Sequence, residues 1–340
     1  MEQNNIQDRL VNIADVITII VVGGLLIVTA FAFFIHKNGG KGELATREQI
    51  EQETKSDPIA PVIPSDPFDA FSIEARAAIV YDIKNDKVVF EKNAHAALPL
   101  ASLTKIMTGL TAFDTLPADA RITIDQQAVN EEGDSGLTVG ETWSLRNLLD
   151  FTLLVSSNDG AKALAAASTA FTKTITTDQV SGDAGSTFIQ KMNQKAKEIG
   201  LEDMRFNNET GLDVDQSTAG GYGSAKSVAL LVEHIMRTAP TLFEATRYQK
   251  ATVSSDLSSH TAQNTDILVT KIPGMLASKT GYSQLAGGNL VVAFDAGLGQ
   301  PYVAVVLGSS YDGRFTDVKR LVQATQKMLA QSVSNTISHD

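Results

Sequence analysis

Hydrophobic and polar positions divide the chain into strand-like segments at both ends of its globular part and helix-like segments between them. Short apolar runs predict strands, and apolar residues that recur every three to four positions predict helices. The predicted strands are Ala77–Ile83, Lys87–Glu91, Met275–Thr280, Gly288–Phe294 and Tyr302–Gly308. The predicted helices are one beginning near Ser102, then Leu145–Ala167, Gly185–Ile199, Ser224–Thr238, and a last one from about Arg314 to about Val333.

This order of elements predicts an α/β (α+β) fold with helices flanking an antiparallel sheet. The economical packing forms one sheet from the strands at both ends of the domain. We expect the first and last helices to cover that sheet and the middle helices to form a separate helical lobe. A cleft between the sheet and the lobe is the natural place for a functional site.

The N-terminal region predicts a membrane anchor followed by a linker. Val16–Ile35 holds twenty uncharged, mostly apolar residues, which is about the length that spans a bilayer. We expect a short tail at 1–15, a transmembrane helix at 16–36, a flexible linker rich in charge and proline at 37–70, and a catalytic domain at 71–335. A cleaved signal peptide is an open alternative, although the basic n-region is missing and the apolar run is too long.

Composition excludes several classes of protein. The chain has 340 residues, 43% of them hydrophobic, which supports a sizeable core. Its formal net charge of −11 argues against a nucleic-acid partner. The absence of cysteine excludes thiol catalysis, disulfides and thiolate metal sites. None of the five histidines stand four residues apart, so a helical zinc site of the metallopeptidase type is not expected.

A serine stands three residues ahead of a lysine at the start of an apolar, helix-periodic run. Three residues are close to one helical turn, so Ser102 and Lys105 lie on the same face of the helix. A serine is a weak nucleophile until a base takes its proton, and a neutral lysine amine one turn away can do so. The S-x-x-K pattern alone is weak, because a chain of this length contains about one match by chance.

Two further short patterns strengthen that signal. Ser156-Ser157-Asn158 follows the apolar helix Leu145–Val155, and Lys279-Thr280-Gly281 lies on a predicted strand. The forms S-x-x-K, S-x-N and K-T-G each occur once, in that order. Together they match the signature of penicillin-binding proteins and class A β-lactamases.

From about Ala70 to about Leu329 the chain resembles a known family, the low-molecular-weight penicillin-binding proteins that are serine D-Ala-D-Ala carboxypeptidases. These belong to the β-lactamase/transpeptidase-like superfamily. The matching stretches are Leu98–Leu110, Leu153–Asp159, Phe206–Asp213, Ser224–Leu231, Ala277–Tyr282 and Gly313-Arg314. The Asn-x-Thr-Gly-Leu-Asp and Gly-Arg elements resemble the carboxypeptidases more than the β-lactamases. Tyr282 stands where some members have histidine.

The resemblance implies catalytic roles on the helical side of the cleft. Ser102 would attack the carbonyl of the penultimate D-alanine and form an acyl-enzyme, while Lys105 takes its proton. Lys105 must then be neutral near pH 7, which burial and a nearby cation such as Lys279 would favour. Ser156 would relay a proton to the leaving amine, and Asn158 would hold the substrate amide.

The resemblance also implies substrate-binding roles on the strand side. Lys279 and Thr280 would face the substrate carboxylate, and Gly281 would let substrate backbone lie against the strand. The backbone N–H groups of Ser102 and Tyr282 would form the oxyanion hole. Arg314 would bind the terminal carboxylate through its planar fork.

The implied function is a serine DD-carboxypeptidase acting on peptidoglycan stem peptides that end in D-Ala-D-Ala, with β-lactams as covalent inhibitors and no metal or cofactor. A DD-endopeptidase of the same fold remains open, since these residues do not separate the two. A β-lactamase is a further alternative, although the helical lobe holds no clear Glu-x-x-Leu-Asn pattern. An inactive penicillin-binding scaffold is disfavoured by the intact trio and Arg314.

This function implies a location at the cytoplasmic membrane. A single-pass anchor would place the catalytic domain on the outer, periplasmic or extracellular, side, where peptidoglycan lies. That orientation requires the N-terminus inside. The flanking charges weakly favour the opposite orientation. One basic residue, Arg9, precedes the apolar run, whereas two, Lys37 and Lys41, follow it.

Overall fold

The computed structural model describes residues 66–133, 135–176, 187–297 and 299–337. The tail, the anchor at 16–36 and the predicted linker up to residue 65 therefore lie outside the described residues. The last residues assigned to that linker are described: Pro67–Ala70 form a turn of 3₁₀-helix in which Pro67 and Phe68 are buried, and the Phe68 ring stacks on Phe90. Among the described helices, none combines the length and the apolar character needed to cross a membrane.

Short strands and longer helices alternate along the described chain. The strands are β1 (Ala77–Asp82), β2 (Lys87–Lys92), β3 (Leu98–Pro99), β4 (Arg121–Thr123), β5 (Thr142–Ser144), β6 (Arg205–Phe206), β7 (Gly221–Gly223), β8 (Lys250–Ser254), β9 (Ser259–Gln263), β10 (Met275–Ser283), β11 (Gly287–Asp295) and β12 (Pro301–Ser309). The α-helices are α1 (Thr104–Thr115), α2 (Gln126–Val129), α3 (Leu145–Val155), α4 (Asn158–Thr176), α5 (Phe188–Glu198), α6 (Ala225–Thr238) and α7 (Gly313–Ile337). Turns of 3₁₀-helix occur at Pro67–Ala70, Ala101–Leu103 and Pro240–Arg247.

The predicted antiparallel sheet is confirmed, with strand order β10-β11-β12-β1-β2. Every residue of β1 is buried, which explains its continuous apolar sequence. Side chains alternate between the two faces of a strand. Ala78 and Val80 accordingly join a core with Val318 of α7, while Ala77 and Ile79 join the larger core on the other face.

One prediction about the layers is wrong. The helix after Ser102 does not cover the sheet: α1 packs mainly against α3, α4 and α5 of the helical lobe. The second face of the sheet is covered instead by α6, which contacts β1 and β12. The physical reason is that α1 is buried almost continuously from Thr104 to Ala112, and a helix that is buried all round belongs inside a bundle.

The helical pattern predicted at Leu145–Ala167 forms two helices, and the first is the predicted apolar helix Leu145–Val155. α3 ends at Val155 because Ser156 adopts a left-handed conformation, with φ of 65°, and caps it. α4 then begins at Asn158 and continues to Thr176. The predicted helix at Gly185–Ile199 begins later, at Phe188, where Thr187 and Gln190 form a capping box.

Candidate active site

The turn that carries Ser102 is held in a strained conformation at the start of α1. β3 pairs with β7, and Leu100 N donates to Gly221 O at 2.9 Å. Ala101 follows with φ of 48°, a conformation that costs an alanine of order 1–3 kcal/mol and persists only where its surroundings enforce it. Gly211 allows a close approach to this turn, because a Cβ there would collide with Ala101 O.

Lys105 is fully buried, and its amine links Ser102 to two other parts of the chain. Its Nζ lies 3.0 Å from Ser102 Oγ, 2.5 Å from Asn158 Oδ1 and 2.7 Å from Thr210 O. Burial lowers the pKa of Lys105 to about 7, although the carboxylates of Glu131 and others nearby act in the opposite direction. The amine is therefore substantially neutral near pH 7.

The hydrogen bonds of Lys105 direct its lone pair toward the serine. Asn158 Nδ2 donates to Glu132 O at 2.6 Å, so its Oδ1 is the atom that faces Lys105. Thr210 O and Asn158 Oδ1 can only accept, and they take the two N–H groups of the neutral amine. The lone pair is left for the hydroxyl of Ser102, as a general base requires.

The S-x-N segment, Ser156-Ser157-Asn158, lies at the junction of α3 and α4. Lys279 Nζ donates to Ser156 Oγ at 2.7 Å, which links this junction to β10. Ser156 is in the strained left-handed conformation described above, and its hydroxyl lies between the two halves of the site. Both polar atoms of the Asn158 amide bond within the protein, to Lys105 and Glu132.

Lys279 is the second buried amine of the site, with 1% of its surface exposed. It donates to Ser156 Oγ and, at 3.0 Å, to Thr280 O. Burial first, then the nearby cations Lys105 and Arg314, hold its pKa well below the usual value. The sequence predicts that burial and Lys279 together keep Lys105 neutral. Burial is the cause that lowers the pKa of Lys105, and the repulsion between the two amines acts on the pKa of Lys279.

Strand β10 approaches the serine turn closely at Gly281. A Cβ on Gly281 would lie 2.9 Å from Leu100 O and 3.2 Å from Ser102 N, so a larger residue would push the strand away. This proximity brings the backbone after Gly281 to the backbone of Ser102, as an oxyanion hole needs. The Thr280 hydroxyl contacts Thr265 Oγ1 at 2.6 Å, and the Tyr282 side chain is exposed at the rim.

Arg314 lies at the start of α7, behind β10. Its Nη1 donates to Gly281 O at 2.9 Å, and the guanidinium packs 4.4 Å from the ring centre of Tyr311 and 4.7 Å from that of Phe315. The side chain is 4% exposed, and its Nε has no hydrogen-bond partner among the described residues. This leaves one buried N–H of the guanidinium unsatisfied, on the side chain whose Nη1 holds β10.

The structure therefore brings the predicted site residues into one cleft. Hydrogen bonds connect Ser102, Lys105 and Asn158 on one side, and Ser156, Lys279 and Thr280 on the other. Within the described ranges, no group of three or more histidine and carboxylate side chains is placed to hold a metal ion.

Comparison with known proteins gives the family. The profile of the peptidase S11 family, D-alanyl-D-alanine carboxypeptidase, matches residues 62–311. The chain belongs to this D-alanyl-D-alanine carboxypeptidase family.

Individual members of the family match over most of this chain. D-alanyl-D-alanine carboxypeptidase DacF of Bacillus subtilis strain 168 is 29% identical over 277 residues, which is 78% of this chain and 64% of that protein. DacB2 of Mycobacterium tuberculosis is 29% identical over 243 residues, 70% of this chain and 77% of that one. The chain thus spans somewhat less than two thirds of the first of these relatives.

A solved structure shares the fold. Penicillin-binding protein D2 of Listeria monocytogenes, in its ampicillin-bound form, superposes with a TM-score of 0.59 at 26% identity. The match covers 75% of this chain and 98% of the Listeria chain.

Sequence reasoning assigns no role to two residues of this carboxypeptidase-family site. Thr210 contributes its carbonyl oxygen to Lys105, and a backbone atom carries no sequence signal of its own. The stretch that contains it, Phe206–Asp213, carries only a resemblance to the family. Thr265 is missed because its contact with Thr280 joins a loop to a strand across the fold.

Proposed function

We propose that this protein is a serine DD-carboxypeptidase that removes the terminal D-alanine from peptidoglycan stem peptides. The observation that carries the proposal is the buried amine of Lys105, whose pKa is lowered to about 7 and whose Nζ lies 3.0 Å from Ser102 Oγ. The family membership and the names of its relatives support the same function.

Acylation proceeds by attack of Ser102 Oγ on the carbonyl carbon of the penultimate D-alanine. The hydroxyl proton passes to Lys105 Nζ, and the backbone N–H groups of Ser102 and Tyr282 bind the negative oxygen of the tetrahedral intermediate. The C–N bond then breaks. The proton held by Lys105 passes through Ser156 Oγ, which accepts a hydrogen bond from Lys279, to the leaving nitrogen. Lys105 is then neutral, and free D-alanine departs.

Deacylation returns the enzyme to its starting state. A water molecule attacks the ester carbon of the acyl-enzyme and gives a proton to Lys105, now neutral again. The ester C–O bond breaks, and Ser102 Oγ takes that proton back from Lys105. The shortened peptide leaves with a new carboxylate.

Substrate register is fixed by positive charge on the strand side. Lys279 and Thr280 on β10, and Arg314, which donates to Gly281 O of that strand, would receive the terminal carboxylate, with Gly281 allowing close approach. A depression of about 670 Å³ begins at Tyr282, the residue after Gly281, and is lined in part by Leu212 and Leu285. It offers room for the rest of the stem peptide.

The test is incubation of the protein with a labelled penicillin, followed by mass mapping of the modified peptide. The expected result is one adduct, on Ser102. An adduct on another residue, or none on a folded sample, would overturn the acyl-enzyme mechanism. A DD-endopeptidase remains the alternative reaction, and the comparison of acid and amide substrates described in the Discussion separates the two.

We propose further that the protein is anchored in the cytoplasmic membrane by residues 16–36, with the catalytic domain outside. The apolar run Val16–Ile35 and the location of peptidoglycan support this. Labelling each terminus of the protein from outside intact cells tests it. Only the C-terminus should react, and labelling of the N-terminus would overturn the orientation.

A further inference from the structure

A buried asparagine on β11 holds the backbone that leads into the serine turn. Asn289 is 0% exposed. Its Nδ2 donates to Pro99 O and to Leu100 O, both at 3.0 Å, and its Oδ1 accepts from Gly308 N at 2.8 Å. Both N–H groups and the oxygen of the amide are thus engaged, which fixes the orientation of the side chain.

The two carbonyl groups that Asn289 binds come directly before the strained residue of the turn. Pro99 and Leu100 precede Ala101, whose φ is 48°, and Ser102 follows. A residue in that conformation returns to a more favourable one unless neighbouring contacts prevent it. The amide of Asn289, on the sheet, supplies such a contact through its hydrogen bonds to Pro99 O and Leu100 O.

Asn289 also lies across from the strand that completes the site. It pairs with Gly281 in the β10–β11 ladder, and the pairing of β11 with β12 is irregular between Gly288 and Leu290, on either side of Asn289. Gly281 itself packs against Leu100 O, the same carbonyl oxygen that Asn289 binds. One carbonyl is therefore held between β10 and the Asn289 amide.

We propose that Asn289 is a positioning residue for acylation, which sets the place of Ser102 relative to the backbone of β10. The inference rests on the proposed function, because it assumes that Ser102 is acylated. Asn289 does not face the cleft and acts only through the turn. A misplacement of reacting groups by about 1 Å can lower a rate by about a hundredfold, so loss of this restraint should slow acylation rather than merely weaken binding.

Another asparagine of the same protein provides a matched control. Asn193 on α5 donates through Nδ2 to Ile189 O and Phe206 O, and its Oδ1 accepts from Phe206 N, all at 2.9 Å. Asn289→Ala and Asn193→Ala thus each remove three hydrogen bonds of the same kinds. Two are donated by Nδ2 to backbone carbonyls, and one is accepted by Oδ1 from a backbone N–H. Only the first removes bonds to the serine turn.

The experiment is a time course of labelling with excess fluorescent penicillin, using the full chain. The rate constant does not depend on the amount of folded protein, whereas the amplitude does. Asn289→Ala should lower the rate constant by about ten- to a hundredfold, with the acidic limb of its pH profile unmoved because Lys105 keeps its surroundings. Asn193→Ala should retain the wild-type rate constant. Asn289→Ser, which keeps one hydroxyl donor, should recover part of the loss.

Each other outcome decides against the proposal. A lower amplitude with an unchanged rate constant in Asn289→Ala would make Asn289 a structural residue only. The same conclusion follows if neither Asn289 variant folds while Asn193→Ala does. Absence of label on Ser102 of the wild type would instead overturn the proposed function, so the two failures are distinguishable.

Discussion

The two walls of the cleft each bury a lysine, and the charges around the two lysines have opposite signs. On the helical wall, burial lowers the pKa of Lys105, and the carboxylates of Glu131 and Glu209 oppose that shift. On the strand wall, burial lowers the pKa of Lys279, and the cations of Lys105 and Arg314 add to that shift. Desolvation is common to both residues, while the neighbours differ.

The difference separates the functions of the two walls. Lys105 has two acceptors for its N–H groups and a pKa of about 7, so it can hold or release a proton at neutral pH. Lys279 and Arg314 place two basic side chains together. Asp266 and Asp312 lie near Arg314 and oppose the lowering of its pKa by burial. The pKa of Lys279, by contrast, is shifted by burial and by the two cations, so an anionic ligand there would favour its charged form. One wall is suited to proton transfer and the other to binding a carboxylate.

Removal of the helical-wall amine gives the largest expected effect. Lys105→Ala should lower the rate constant of acylation by about a hundred- to ten-thousandfold, the usual contribution of a general base. The measurement is the time course of labelling by a fluorescent penicillin. Circular dichroism should show that the variant remains folded.

Lys105→Met serves as the control for the cavity that alanine leaves, because methionine restores most of the lost side-chain volume without a proton acceptor. Both variants should be equally slow. If either retained a near wild-type rate of acylation, another group would be the base and the assignment of the helical wall would be wrong.

The strand wall is tested by removing its guanidinium. Charge-assisted hydrogen bonds contribute roughly 1.5–3 kcal/mol each, so Arg314→Ala should lower kcat/KM on a D-Ala-D-Ala peptide by at least about tenfold. Arg314→Lys should recover only part of this, because an ammonium group cannot make the bidentate contact. Steady-state kinetics on the free-acid peptide measure the effect.

The C-terminal amide of the same peptide is the matched control substrate, since it lacks the charge that Arg314 would bind. Wild type should cleave the acid much faster than the amide, and Arg314→Ala should narrow that gap. Equal cleavage of acid and amide by wild type would remove the carboxylate-binding role and favour endopeptidase chemistry.

The pH dependence of acylation reports on the helical wall in the wild-type protein. Lys105 must be neutral to accept the Ser102 proton, and lowering the pH protonates it. With a pKa of about 7, the rate should therefore fall about tenfold for each pH unit below that value and level off above it. Labelling between about pH 5.5 and about pH 8.5 checks this, and a flat profile over that range would contradict it.

Local patterns in the sequence are sufficient to predict the sheet and most of the site. The apolar runs predict β1 and β10–β12, and the ordered trio predicts Ser102, Lys105, Ser156, Asn158 and Lys279, because each motif is short and contiguous. Local patterns do not predict how whole helices pack. The periodicity of α1 shows that it is apolar, but it does not specify which layer buries it.

Contacts between a side chain and a distant backbone carbonyl also cannot be predicted from the sequence. Thr210 O reaches Lys105 from a separation of 105 residues, and Asn289 reaches Leu100 O from 189. Neither contact follows from residue type, because a carbonyl oxygen is common to all residues. The conformations of Ala101 and Ser156 are likewise unpredicted, since non-glycine residues with positive φ have no strong local signal.

The smallest expected effect tests whether the helical-wall carboxylates tune Lys105. Glu131 is the carboxylate that most raises the pKa of Lys105, and it also lies 3.5 Å from Lys162. Glu131→Gln removes its negative charge, so the neutral amine is favoured and the acidic limb of the acylation profile should move to lower pH. The shift should be a few tenths of a pH unit, because Glu131 is partly solvated and already paired.

A matched control is available in α5, where Glu198 lies 3.5 Å from Lys195 in a comparable ion pair away from the cleft. Glu198→Gln changes the net charge equally, so any general effect of charge on penicillin binding appears in both variants. Only Glu131→Gln should move the acidic limb of the acylation profile. The plateau rate constant at higher pH should be unchanged, because the geometry around Ser102 is intact. An identical limb in the two variants would mean that Glu131 does not tune Lys105. The difference in charge between the two walls would then rest on Glu209 and Asp159, which also raise the pKa of Lys105, and on the cations around Lys279.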